Sequence, residues 1–266
     1  MNNIMYLIIS IILLCLITLI IKYNNKEGLK NNYKYTALII EPRKHKALEF
    51  VLQNFNDNLS DEWQFIVFHG NQNKEYTENI CKRVFIPERV KLVQLNVDKL
   101  NLYTYSGILL DKSFYDNIKT EYFLVFQTDS IICSKYKNTI NDFLKYEYVG
   151  APFGDNDNIG NDTVGNGGLS LRKKSKMLEI LDNCKTKNSD NQYLMEDRVF
   201  AYSCNNIPIY KPSLEKAAQF SIESNINNNK AFGIHKAFVY LDDKKINSIK
   251  EWCPEITKLT ELNNLK

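Results

Sequence analysis

Four short blocks carry residue types that could do chemistry. Gln127-Thr128-Asp129-Ser130 stands directly behind the apolar run Tyr122 to Phe126. A carboxylate at the lip of a buried segment needs a partner, and a divalent cation bridging to phosphate oxygens is one solution. The other is a helix N-cap, a place that Asp129 and Ser130 both suit. The second block runs from Val164 to Arg172 (VGNGGLSLR). Clustered glycines in a strand-like context cost chain entropy and side-chain packing. They are tolerated where a ligand or another backbone approaches closely, or where the chain makes a tight turn or bulge. The spacing is neither GxGxxG nor a phosphate loop ending in Lys-Ser/Thr, so a Rossmann-type cofactor and a Walker site are not supported. Glu196-Asp197 opens an amphipathic stretch, where acidic residues suit a helix dipole and could equally act as general base towards a hydroxyl. Gly233-Ile234-His235-Lys236 sets a histidine between two apolar segments, as a late metal or phosphate ligand or as a hydrogen-bonded loop residue.

Elements that could position these blocks alternate along the chain. Tyr35 to Ile40 reads as a buried strand, followed by a helix with Ala47, Phe50, Val51 and Phe55 on one face. Trp63 to Phe68, Val90 to Leu95 and Tyr122 to Phe126 read as further strands, and Ser106 to Ile118 as a helix capped by Ser106. Continuous apolar runs separated by helices predict an α/β fold, a mainly parallel mixed sheet with helices on both faces. In such sheets ligands bind beyond the carboxyl ends of the strands. Polar residues stand at three of those ends: Glu41-Pro42-Arg43, His69-Gly70 and Gln127 to Ser130.

The 34 Lys+Arg against 31 Asp+Glu leave a net charge of +3, which is no nucleic-acid footprint. Ile4 to Ile21 carries no charge and, as a helix, would rise about 27 Å, close to the hydrocarbon thickness of a bilayer. With no basic residue before it and no cleavage pattern after it, the segment reads as an uncleaved anchor. The expected organisation is a transmembrane anchor over 1–22, a stalk over 23–34, one α/β domain over 35–243 and a helical extension over 244–266. That makes a single-pass membrane protein. Lys22, Lys26, Lys30 and Lys34 argue for a cytoplasmic domain by the positive-inside rule. Sequons at Asn58 and Asn161 would matter only on the other side, and orientation stays open. The six cysteines show no metal or disulfide spacing and read as small buried hydrophobes.

Taken in order, the blocks resemble the GT-A-fold nucleotide-sugar glycosyltransferases, and most nearly a largely uncharacterised glycosyltransferase-like family of bacteria and large DNA viruses. The resemblance rests on Glu41-Pro42-Arg43, His69-Gly70, Gln127 to Ser130, Gly150-Ala151-Pro152-Phe153, Gly165 to Arg172, Glu196 to Phe200 and Gly233 to Lys236. It spans residues 35 to about 240. Phe153 stands where that family has Trp. Thr128-Asp129-Ser130 offers one carboxylate where GT-A enzymes carry Asp-x-Asp.

The resemblance implies a sugar moved from a nucleotide-diphosphate donor to a hydroxyl of a glycan, protein or lipid acceptor. Mn²⁺ or Mg²⁺ would be held by Asp129 and His235. Glu41, Arg43, His69, Gly70, Gln127, Thr128, Gly167, Gly168 and Arg172 would bind the nucleotide sugar. Asp197 would be the base of an inverting reaction, with Glu196 second, or would orient the acceptor in a retaining one. Two other readings stay open: a glycan-binding or scaffolding protein on a decayed transferase fold, motivated by the single carboxylate, and a nucleotidyltransferase.

Overall fold

Strands that read as uninterrupted apolar runs need cover on both faces, and the computed structural model supplies it. It describes residues 33–153, 164–224 and 230–263. The strands are β1 (Tyr35–Ile40), β2 (Trp63–His69), β3 (Val90–Gln94), β4 (Tyr122–Phe126), β5 (Ser130–Ile132), β6 (Tyr148–Val149), β7 (Leu169–Lys173), β8 (Ser221–Ile222) and β9 (Gly233–His235). Six form one sheet in the order β3-β2-β1-β4-β7-β6. The first four are mutually parallel, while β7 runs antiparallel to both β4 and β6. A smaller sheet has the order β5-β9-β8.

Alternation along β1 shows how the layers form. Ala37 and Ile39 enter one core with Val51, Phe55 and Phe126, and Leu38 and Ile40 enter the other with Phe123, Val125 and Phe200. Helix α1 (Leu48–Asn58) covers the first face, Phe55 stacking on Phe126 at a centroid distance of 3.9 Å. Helices α2 (Lys74–Val84), α3 (Leu102–Leu109), α4 (Lys174–Asn183) and α5 (Glu196–Tyr202) complete the layers. Strand order reverses between β1 and β4: β1 leads outward to β2 and β3, whereas β4 lies on its other side. That is a topological switch point, where a crevice opens beyond the strand ends.

Two expectations are corrected. Ser106 caps nothing. It is buried inside α3, whose cap is Asn101 in a reciprocal capping box with Thr104. The predicted helix over 106–118 ends at Leu109, and a separate 3₁₀ segment follows at Lys112–Asn117, with Asp111 accepting from Ser113 N. Strong apolar character at residues 108–110 and 114–115 continues the helical pattern across a break that Asp111 imposes locally.

The cysteines also differ from their reading. Cys133 pairs with Cys253, and Cys184 with Cys204, with Cα separations of 5.0 and 5.6 Å. The first pair lies 120 residues apart in the chain, so no local spacing signals it. Cys81 is a buried free thiol, as expected, and burial pushes its pKa up to about 12. Cys133–Cys253 ties the start of a 3₁₀ segment to the turn between α6 (Asp243–Lys250) and α7 (Glu255–Asn263), which pack on the main domain through Ile249, Ile256 and Leu259. The apolar segment 4–21 lies outside the described residues. No helix among the described residues is long and apolar enough to cross a membrane.

Candidate active site

Parallel pairing of β1 with β4, Ile39 opposite Phe126, brings the ends of both strands to one rim. Glu41 therefore sits beside Thr128, whose hydroxyl donates to Glu41 Oε2 at 3.4 Å. Because β7 is antiparallel, Leu169 lies opposite Phe126 and the glycines that precede it reach the same rim. Ser130 begins β5 opposite His235 in β9. Four blocks separated by up to about 190 residues in the chain thus meet through strand register alone.

The resulting cleft has a volume of about 510 Å³ and is lined by Tyr105, Gln127, Gly167, Gly168, Asp197 and His235, among others. A second cavity of about 240 Å³ adjoins it through Leu102, Tyr105 and Gln127, and is walled by Glu41, Arg43, Thr128 and Asp129. Arg43 donates to both oxygens of Glu41, at 2.8 and 2.7 Å, while its side chain stays more than half exposed. The pair is a rigid, partly exposed fork beside the carboxyl ends of the strands.

His235 is the hub of the rim. Its Nε2 lies 3.4 Å from Asp129 Oδ1 and 3.3 Å from Gln127 Oε1, and its Nδ1 lies 3.1 Å from Glu223 Oε1. Burial alone would lower its pKa, but Asp129 and Glu223 raise it to about 10. Burial would raise the Asp129 pKa, and His235 and Lys236 more than offset it, holding the carboxyl below its ordinary range. Asp129 Oδ1 is buried and accepts no hydrogen bond among the described residues. An orphaned carboxylate oxygen next to an imidazole fits a divalent cation that takes its other ligands from phosphate oxygens and water. No group of three His, Cys, Asp or Glu side chains among the described residues is arranged to hold a metal unaided.

Glu196 and Asp197 are neighbours with opposite surroundings. Glu196 is buried, its Oε1 accepting from Arg172 Nη2 at 2.9 Å and its Oε2 from Ser106 at 3.4 Å. Arg172 is fully buried between the rings of Tyr148 and Phe200 and also donates to Ser170 Oγ. Burial would lower the Arg172 pKa, and Tyr148 and Glu196 keep it raised. Arg172 is fully buried and does not line the cleft, whereas Glu196 does line it, with both carboxylate oxygens engaged by Arg172 and Ser106. Asp197 faces the cleft, and among the described residues its Oδ1 accepts only from the neighbouring Arg198 N, at 2.7 Å. Burial and the adjacent Glu196 carboxylate raise its pKa from 3.8 to about 7.

The glycines have a different cause from the one expected. A Cβ on Gly168 would lie 2.0 Å from His235 Nε2, and one on Gly167 would lie 2.5 Å from Glu196 Oε1. Side chains of the site itself demand the space, although both glycines line the cleft. His69 and Gly70 are not among the lining residues of either cavity. Gly70 N donates to Asn73 Oδ1, and Asn73 Nδ2 donates to the carbonyls of Glu41 and Arg43. The His-Gly block therefore shapes the loop that carries Glu41 rather than lining the site.

Two lining residues escaped the sequence reading. Glu223 lies in a polar stretch without periodicity, and only the β8–β9 pairing brings it to His235. Tyr105 reads as one aromatic in an apolar helix, yet it lines both cavities. Its hydroxyl is buried without a hydrogen-bond partner among the described residues, and burial raises its pKa.

Solved structures share this mixed α/β, Rossmann-like sheet. The inositol-1-phosphate CTP transferase from T. maritima overlays with a TM-score of 0.50 at 9% identity, covering 86% of this chain and 97% of that one. The apo-form glycosyltransferase GlyE of Streptococcus pneumoniae TIGR4 gives 0.51 at 9% identity, over 85% of this chain and 63% of that one. Mannosyltransferase PcManGT from Pyrobaculum calidifontis, in complex with GDP-Man and Mn²⁺, overlays more loosely, at 0.47 and 13% identity, over 73% and 61% of the two chains. At such identities the likeness establishes a GT-A-like fold and nothing finer. No curated protein matches the sequence. The chain belongs to the family of proteins of unknown function DUF5672, whose match covers residues 89–235.

Proposed function

We propose that the protein is a glycosyltransferase that moves a sugar from a nucleotide-diphosphate donor to an acceptor hydroxyl. One observation carries the reading. His235, paired at 3.4 Å with Asp129 of the adjoining cavity, borders the same cleft as Asp197, a carboxyl poised near neutrality.

In this reading the nucleotide occupies the cavity walled by Glu41 and Arg43, and the diphosphate lies at the Asp129–His235 rim. Mn²⁺ or Mg²⁺, held by Asp129 and by His235 in its neutral form, would supply electrostatic stabilisation of the leaving diphosphate. The sugar extends into the larger cleft over Gly167 and Gly168. Asp197, ionised above about pH 7, takes the proton of the acceptor hydroxyl. The acceptor oxygen bonds to the anomeric carbon as the carbon–oxygen bond to the diphosphate breaks, its electron pair leaving on the nucleoside diphosphate. If configuration is retained, Asp197 orients the acceptor instead.

The apolar segment 4–21 would tether this domain to a membrane, with residues 23–34 as a stalk. The disulfides Cys133–Cys253 and Cys184–Cys204 support a domain on the oxidising side of that membrane, against the reading from the juxtamembrane lysines.

A screen of donor hydrolysis over UDP-, GDP- and CMP-linked sugars, with Mn²⁺ or Mg²⁺, tests the activity. We expect turnover of at least one donor, abolished in Asp197→Asn. No turnover of any donor contradicts the reading, and preferential reaction of a nucleoside triphosphate would replace it with nucleotidyl transfer.

A further inference from the structure

The cleft has a second neighbour on the side away from Glu41. A groove of about 690 Å³ joins it through two shared lining residues, Met195 and Arg198, which flank Glu196 and Asp197. The cavity of Glu41 and Arg43 instead joins the cleft through Leu102, Tyr105 and Gln127. The two side cavities therefore open from different walls, one beside Asp129 and one beside Asp197.

The groove has its own chemistry. Tyr103, Tyr193 and Tyr202 supply aromatic wall. Tyr193 is fixed in place: a Cβ on Gly107 would lie 2.6 Å from its ring, and Lys187 Nζ stands over that ring at 4.6 Å. The Cys184–Cys204 disulfide forms part of the lining and bridges α4 to the end of α5. Between these apolar surfaces stand the carboxamides Asn183, Gln192 and Asn206. The carboxamides of Gln192 and Asn206 offer a donor and an acceptor together, which matches hydroxyl groups that also do both, while Asn183 already donates to Glu179 O. Rigid rings with an apolar body suit the C–H face of a sugar ring. An acyl chain would leave the amides and Arg198 unpaired, which costs affinity.

We propose that this groove receives a saccharide acceptor and delivers its hydroxyl past Met195 to Asp197. The assignment rests on the transferase reading above and narrows its acceptor from glycan, protein or lipid to glycan. Tyr103 and Gln192 are both exposed and hold no place in the core.

Saturation-transfer NMR on the full chain in detergent, against maltotriose, cellotriose, chitotriose and mannotriose, tests it directly, with dodecyl phosphate and a Ser/Thr-containing peptide as competing probes. We expect at least one trisaccharide to bind, and Tyr103→Ala and Gln192→Ala each to weaken it about tenfold, with unchanged melting temperature and unchanged response to UDP or GDP. Absence of saccharide binding at millimolar concentration, or binding indifferent to both substitutions, overturns the assignment, as does occupation by dodecyl phosphate or peptide in place of saccharide. The nucleotide response is scored separately. Its loss with saccharide binding intact would bring down the transferase reading and leave the groove as a glycan site.

Discussion

Two carboxylate-bearing regions meet in this cleft and are built on opposite rules. The floor, Arg172–Glu196 with Ser106 and Ser170, pairs each carboxylate oxygen and shuts out solvent. The rim, Asp129–His235 with Asp197 across the cleft, leaves Asp129 Oδ1 without a hydrogen bond and Asp197 with one local donor. A buried ion pair gives little net stability over apolar residues of the same shape, but its geometry is hard to deform. The floor is therefore a stage, and the rim keeps its unsatisfied groups for a ligand. Sequence adjacency of Glu196 and Asp197 conceals this division. A single residue step separates the carboxylate paired with Arg172 from the one that faces the cleft.

The largest effect that would sharpen the contrast is at Asp197. Asp197→Asn should cut turnover about 10²- to 10⁴-fold while nucleoside diphosphate affinity holds, measured by steady-state kinetics beside a binding titration. Loss of nucleotide affinity in that variant would instead assign Asp197 to donor binding. Next comes the floor. Arg172→Met leaves Glu196 buried and unpaired and should cost about 3–5 kcal/mol of stability, read by denaturant unfolding. Adding Glu196→Gln should restore part of it. If Arg172→Met lost activity with its stability intact, the floor would be part of the chemistry.

A smaller effect follows from pH. Asp197 holds its proton more tightly folded than unfolded, its pKa raised from 3.8 to about 7 under burial and Glu196, against Arg172 and Arg198. Its contribution to stability is fully present below about pH 4 and is lost as pH rises through about 7. Stability curves of the wild type and Asp197→Asn should therefore diverge between those values, with the variant gaining relative stability above pH 7. The rate should show a limb near pH 7 that rises with pH. Parallel stability curves would place Asp197 in a solvated setting and remove it as base.

The sheet was legible because parallel strands buried on both faces write themselves as unbroken apolar runs. Tyr35 to Ile40 and Tyr122 to Phe126 stand where the pattern placed them. The rim was legible for a related reason at Glu41 and at Gln127 to Asp129, which follow their strands into the crevice, whereas His69-Gly70 at the end of β2 lines neither cavity. The floor was not. Arg172 looks like any cation after a strand, and its burial follows from the antiparallel course of β7 between β4 and β6. Cys133–Cys253 joins residues 120 apart in the chain, and Cys184–Cys204 and Glu223–His235 depend on tertiary pairing that no local pattern encodes. Gly167 and Gly168 show a demand for space, but the sequence does not name Glu196 and His235 as the side chains that stand against them.

The central claim is that the switch point between β1 and β4 binds a nucleoside diphosphate through Asp129. Calorimetric titration of the full chain with UDP and with GDP, in the presence and absence of Mn²⁺, measures it directly. The account predicts binding of at least one nucleotide that is strengthened by Mn²⁺, and loss of that strengthening in Asp129→Asn. Failure of both nucleotides to bind, or an unchanged Mn²⁺ effect in the variant, would contradict it.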